Sequence, residues 1–203
     1  EHLLNTLRFF NNDNTGSKGY ALDGTVSVFH RDINGDGILQ PTDGDRYILI
    51  VGERRGGSHY YALDITNRST PKFLWTIKGG FGGTVTGAGD YYEMAQTWSS
   101  ANFAKVRVTS GGNLVVRDVM VVGGGYDTDH DTTGGTRNAD DMGRAVYMID
   151  VYSGKILWWA GRQGITDATS TSTRTPDLAF SDMNYAIAGD IRTIDFNGDG
   201  FHD

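Results

Sequence analysis

At 203 residues, with 29 glycines, three prolines, ten Tyr, nine Phe and four Trp, the chain can bury a sizeable core. It reads as many short aromatic strands joined by tight turns, which excludes a collagen-like or disordered chain. Twenty-five acidic residues against eighteen basic ones leave a net charge of −7, which excludes nucleic acid as a natural partner. The absence of cysteine is compatible with an oxidising envelope compartment. No apolar run approaches the roughly 20 residues that cross a bilayer as a helix, so no direct membrane span is expected.

Glu1 to Phe10 places Leu3, Leu4, Leu7 and Phe10 on one helical face. Residues 1–20 are therefore read as a leading helix or loop from a preceding segment, and residues 21–203 as part of one all-β domain. The chain begins without Met and stops on an Asp, which suggests a piece of a longer protein. Ala21 to His30 alternates as a strand and runs into Asp32-Ile33-Asn34-Gly35-Asp36-Gly37-Ile38-Leu39-Gln40-Pro41-Thr42-Asp43. Oxygen-bearing side chains fall there at positions one, three, five, nine and twelve (Asp32, Asn34, Asp36, Gln40, Asp43), with glycine at six. That is the spacing of a calcium loop, to which Ile38 would add its backbone carbonyl while Leu39 anchors inward. Magnesium fits less well, because it demands a strict octahedron and keeps its waters.

Arg46 to Gly52 is a continuous apolar run, as for a strand covered on both faces. Arg54-Arg55-Gly56-Gly57 turns the chain, its arginines read as partners of carboxylates. Tyr60–Ile65 and Pro71–Ile77 are the next strands. The unit then returns. Arg117–Gly125 matches the run ending at Gly52, Ala145–Val151 matches the run around Leu63-Asp64-Ile65, and Lys155-Ile156-Leu157-Trp158 matches Lys72-Phe73-Leu74-Trp75. Repeated antiparallel strands, each unit ending in a Trp able to wedge between sheets, are the signature of β-propeller blades.

Between the copies, Gly79-Gly80-Phe81-Gly82-Gly83 is read as a turn and not a phosphate cradle, since no Lys-Ser/Thr and no helix follow. Phe103–Thr109 is a strand and Gly111-Gly112-Asn113 a hairpin turn. Tyr126 to Arg144 is a longer excursion rich in carboxylates. Within it, Asp127-Thr128-Asp129-His130-Asp131 lacks the glycine at position six, so a solvated loop is the default and a third cation site the alternative. Gln163–Asp182 is a Ser/Thr-rich surface loop with a short helical turn near Asp177–Phe180. Tyr185–Ile194 then enters a second cation motif, Asp195-Phe196-Asn197-Gly198-Asp199-Gly200-Phe201-His202-Asp203, closed by an acid at position nine. The five histidines are scattered, none in a metal spacing such as H-E-x-x-H, and read as surface or loop residues. No nucleophile has a visible base and orienter, so no catalytic residue is assigned and the chain is read as non-enzymatic.

Gly123–Asp127 with Asp140–Asp150, Asp45-Arg46 leading to Val51-Gly52, Arg54–Gly57 with Tyr60–Asp64, and Gly189–Gly200 together resemble the C-terminal domain of the PilY/PilC family of type IV pilus biogenesis proteins and tip adhesins. The likeness covers Ala21 to the end. It implies a modified β-propeller that binds Ca2+ and supports pilus assembly, surface adhesion and twitching motility. It places the protein at the pilus tip, in the periplasm or at the outer membrane of a Gram-negative bacterium. The implied partners are minor pilins, the pilus machinery and a host-surface receptor. By position, the family's calcium ligands fall on Asp195, Asn197, Asp199, Asp203 and the carbonyl of Phe201. Two other resemblances compete. Ser153–Trp158 is similar to the blade motif of quinoprotein dehydrogenases, although no funnel of basic and amide groups for a quinone can be assembled. A generic integrin-like calcium propeller adhesin is the other.

Overall fold

The structure, a computed structural model, describes residues 19–80, 91–131, 139–164 and 175–202. The leading helix expected within residues 1–20 falls on residues outside this set, apart from Gly19 and Tyr20. So do Phe81 to Gly83 of the glycine-rich turn, much of the Ser/Thr-rich loop, and Asp203.

Alternation of β-branched and aromatic residues produces two sheets. The first contains β1 (Val26–Arg31), β2 (Arg46–Gly52), β3 (His59–Asp64) and β4 (Lys72–Lys78), in that order and all antiparallel. The second contains β5 (Asn102–Ser110), β6 (Asn113–Gly123), β7 (Ala145–Asp150), β8 (Ile156–Arg162) and β9 (Leu178–Phe180). There β9 joins parallel to β8 while the other pairs are antiparallel. Gly111-Gly112 closes the β5–β6 hairpin between the paired residues Ser110 and Asn113, as expected. Asp177–Phe180 was expected as a helical turn and instead leads into and forms β9 (Leu178–Phe180), because the Asp177 carboxylate accepts the Trp159 N–H at 3.0 Å and lays the segment along the edge of β8.

The sequence repeat is also a structural one, extended from three strands to four. Both copies carry a β-bulge at the same place: the register shifts between Ala62 and Leu63 against β4, and between Met148 and Ile149 against β8. Trp75 pairs with Ala62, and Trp158 pairs with Met148.

One cluster joins the sheets. Phe29, Ile48, Ile50, Tyr60, Ala62, Trp75 and Ile77 of the first sheet bury against Met120, Val122, Tyr147, Ile149, Ile156 and Trp159 of the second. Alternation then sends Val119 and Val121 to the opposite face of the second sheet, where they pack with Ala104, Val106, Met148, Leu157 and Ile191. The first sheet is less covered. Ile48 and Ile50 of β2 are buried, but Leu49 and Val51 are only half-buried and their neighbour Val28 is exposed. The strand expected to be covered on both faces is thus fully covered on one.

Trp75 is the wedge the repeat predicted: it is 3% exposed and its indole N–H donates to the Val151 carbonyl at 2.9 Å. Trp158, its counterpart by register, faces away from the joint. The joint is filled from the second sheet by the adjacent Trp159, stacked on Tyr147 with ring centroids 5.5 Å apart.

Candidate cation loops

The first motif leaves the end of β1 and re-enters the sheet through a single 3-10 turn at Pro41–Asp43. Its side chains fold back onto their own backbone. Asp32 accepts the N–H groups of Gly35 and Gly37 at 2.7 and 2.9 Å, Asn34 Oδ1 accepts that of Asp36 at 3.1 Å, and Asp36 Oδ1 accepts that of Ile38 at 2.7 Å. The second motif repeats the arrangement. Asp195 accepts Gly198 and Gly200 N–H, both at 2.7 Å, Asn197 accepts Asp199, and Asp199 Oδ1 accepts Phe201 at 3.0 Å. The glycine at position six has φ +75 in the first loop and +84 in the second, a left-handed conformation that disfavours any side chain.

In the first loop the Asn34 amide nitrogen lies 3.0 Å from Asp36 Oδ2 and 2.9 Å from Asp43 Oδ2. Three of the expected ligands therefore meet at one point, with a partial positive charge between two carboxylates. Ile38 is exposed, and Leu39, expected to anchor inward, is half-buried. Gln40 contributes its backbone N–H to Asp45. Asp45, which the spacing argument did not select, holds the neck of the loop by accepting Ile33 N–H and Gln40 N–H, each at 3.0 Å. Those two N–H groups, led by that of Ile33, keep its carboxyl below the usual carboxylate range. The signal that could have found it is the second acid directly before a strand.

The second loop sits beside β5. The His202 N–H donates to the Lys105 carbonyl at 2.8 Å, and Arg107 Nη1 lies 2.7 Å from Asp199 Oδ2. Arg107 first, and the Phe201 N–H after it, hold the Asp199 carboxyl below its ordinary value. Asp32 of the first loop and His202 of the second both line one cavity of about 440 Å3 between β1 and β5. Its floor includes the Arg31–Asp118 ion pair that ties the sheets together. Tyr152 also donates to Asp118 at 2.8 Å, and burial pushes its hydroxyl up to about 12.

Among the described residues, no group of three or more His, Cys, Asp and Glu side chains is gathered tightly enough to hold a metal by themselves. The donor set of each loop nevertheless suits a hard cation, since it mixes carboxylate, amide and carbonyl oxygens on alternate residues of a tight turn.

Over 90% of its length the chain matches the crystal structure of the Pseudomonas aeruginosa PilY1 C-terminal domain, with a TM-score of 0.51 and 20% sequence identity. The fold is PilY1-like. The chain spans 27% of the length of that neighbour. No family model matches the sequence, and no curated protein does.

The carboxylate-rich excursion in this PilY1-like fold has a structural use. Asp127 is buried and accepts the N–H groups of Asp129, Asp141 and Met142 at 3.0 to 3.1 Å, which leaves its oxygens committed to the backbone. Two histidines face buried acids, His130 from the loop after β6 and His59 from within β3, where a surface or loop position was expected. His130 Nε2 is 2.9 Å from the buried Asp140, and His59 Nδ1 is 3.3 Å from the fully buried Glu53. Of the two arginines after β2, Arg55 pairs with Asp23 at 2.7 Å as expected, whereas Arg54 lies over the Trp98 ring at 4.4 Å.

Proposed function

We propose that this chain is a non-enzymatic, calcium-binding part of a type IV pilus-associated protein, its two sheets standing as neighbouring blades of a modified β-propeller. The observation that carries the reading is the pair of loops. Two segments more than 150 residues apart fold with the same side-chain-to-backbone pattern on a PilY1-like scaffold. In the first loop Asp32, Asn34, Asp36, Gln40, Asp43 and the Ile38 carbonyl would hold the ion. In the second, Asp195, Asn197, Asp199, Asp203 and the Phe201 carbonyl would do so.

Bound calcium would supply the positive charge that neighbouring carboxylates lack, and would add stability in proportion to the logarithm of its concentration over Kd. The chain's own part is to pre-order the loops. Asp32 and Asp195 fix the turn, Asp45 closes the neck, and Arg31–Asp118 ties the first loop to the second sheet. Occupancy of the loops thereby acts on the joint between blades, and this is how external calcium would bear on pilus assembly, adhesion and twitching motility at the cell surface. Minor pilins, the pilus machinery and a host receptor are the partners this reading supplies.

The glycine of the Ser153–Trp158 motif supports a docking role over quinone chemistry. A Cβ on Gly154 would lie 2.8 Å from Trp75 Cδ2, so the glycine of one sheet receives the tryptophan of the other. Isothermal titration of the full chain with calcium should show two sites, Asp36→Ala and Asp199→Ala each removing one. Absence of binding to the parent chain would overturn the reading.

A further inference from the structure

The two loops differ in what meets the second oxygen of their position-five aspartate. Asp36 and Asp199 stand at position five of their motifs, and each gives Oδ1 to the N–H two residues on. Each has Oδ2 left over from that backbone bond. In the first loop this oxygen meets the Asn34 amide, which also holds Asp43. In the second it meets a full positive charge from another element, the Arg107 guanidinium of β5 at 2.7 Å.

Resting on the calcium reading above, we propose that Arg107 is a built-in competitor of the second loop. Its guanidinium occupies the Asp199 oxygen that a cation needs, which makes this loop the weaker of the two and links its filling to release of an arginine from the carboxylate. The geometry provides for that exchange. The guanidinium lies 3.6 Å over the Phe201 ring, so an aromatic face retains it when the carboxylate is given up. The backbone bond from His202 to Lys105 keeps the loop on β5 in either state. The ion pair is partly exposed, with side-chain exposures of 40% and 37%, so its strength is that of a screened pair. The neighbouring charge, repelling a divalent ion across a few ångströms, adds to it.

The test uses the full chain with the first loop silenced by Asp36→Ala. Calcium titration by calorimetry compares Arg107 with Arg107→Ala and with Arg107→Gln, which retains most of the side chain's packing. Removing the guanidinium should tighten binding roughly three- to tenfold, the gain shrinking in 1 M salt and growing for trivalent terbium. Affinity unchanged or weakened in both variants would overturn the competitor role while leaving the calcium reading intact. No binding in any of the three chains would overturn both.

Discussion

Glu93 and Arg144 show how a buried charge is held in this protein. Glu93 is 2% exposed, and Arg144 meets it with backbone N–H, Nε and Nη2 at 3.1, 2.7 and 3.3 Å. Burial raises the carboxyl above its ordinary value, with Arg144 pulling against that shift. A carboxyl whose folded pKa is raised favours the fold while protonated, so stability is lost as pH rises from the unfolded value of about 4.3 through the raised one. Arg144→Ala should cost about 3–5 kcal/mol at neutral pH by stranding the carboxylate, and recover much of that on acidification, as read from denaturant midpoints against pH. Asp45 carries the opposite sign. Its lowered carboxyl stabilises the fold above roughly pH 4 and ceases to as pH falls through the folded value. The melting-point difference between the parent chain and Asp45→Asn should therefore shrink on acidification.

At the scale of the element, the joint between sheets turns on Trp75 and its receiving glycine. Gly154 has φ +67, so Gly154→Ala meets both backbone strain and the indole, and should cost about 1–3 kcal/mol. Trp75→Ala should cost about 3–5 kcal/mol through the cavity and the lost bond to Val151, and Trp158→Ala clearly less, since its side chain is only half-buried. Chemical denaturation of the three variants ranks them, and an equal loss at Trp75 and Trp158 would show the two copies to be interchangeable.

For the whole molecule, one residue of each loop, Asp32 and His202, lines a single cavity that the Arg31–Asp118 pair also lines, so filling the loops should act on the entire fold. Adding a chelator should lower the melting midpoint by several degrees, because each kcal/mol shifts a domain of about 200 residues by roughly 2–4 °C. A midpoint indifferent to chelator and calcium would disconnect the loops from stability.

The strands, the hairpin at Gly111-Gly112 and the repeat were legible in the sequence because period-two alternation and turn glycines are local signals. The same holds for the turn of the first loop, where the spacing of Asp32, Asn34 and Asp36 sets the side-chain-to-backbone bonds within a few residues. Contacts between segments far apart in the chain left no such mark. Nothing near Arg107 announces Asp199, nothing near Trp75 announces Gly154, and the face on which Trp158 falls depends on which side of the second sheet the first one covers. β9 was misread for the same reason: three residues carry no period, and only the edge of β8 beside them decides that they extend. Sequence thus determined which residues alternate, turn and repeat, whereas tertiary packing decided which carboxylates meet arginines and which tryptophan fills the joint, since burial and charge pairing are properties of neighbours that the chain brings together only when folded.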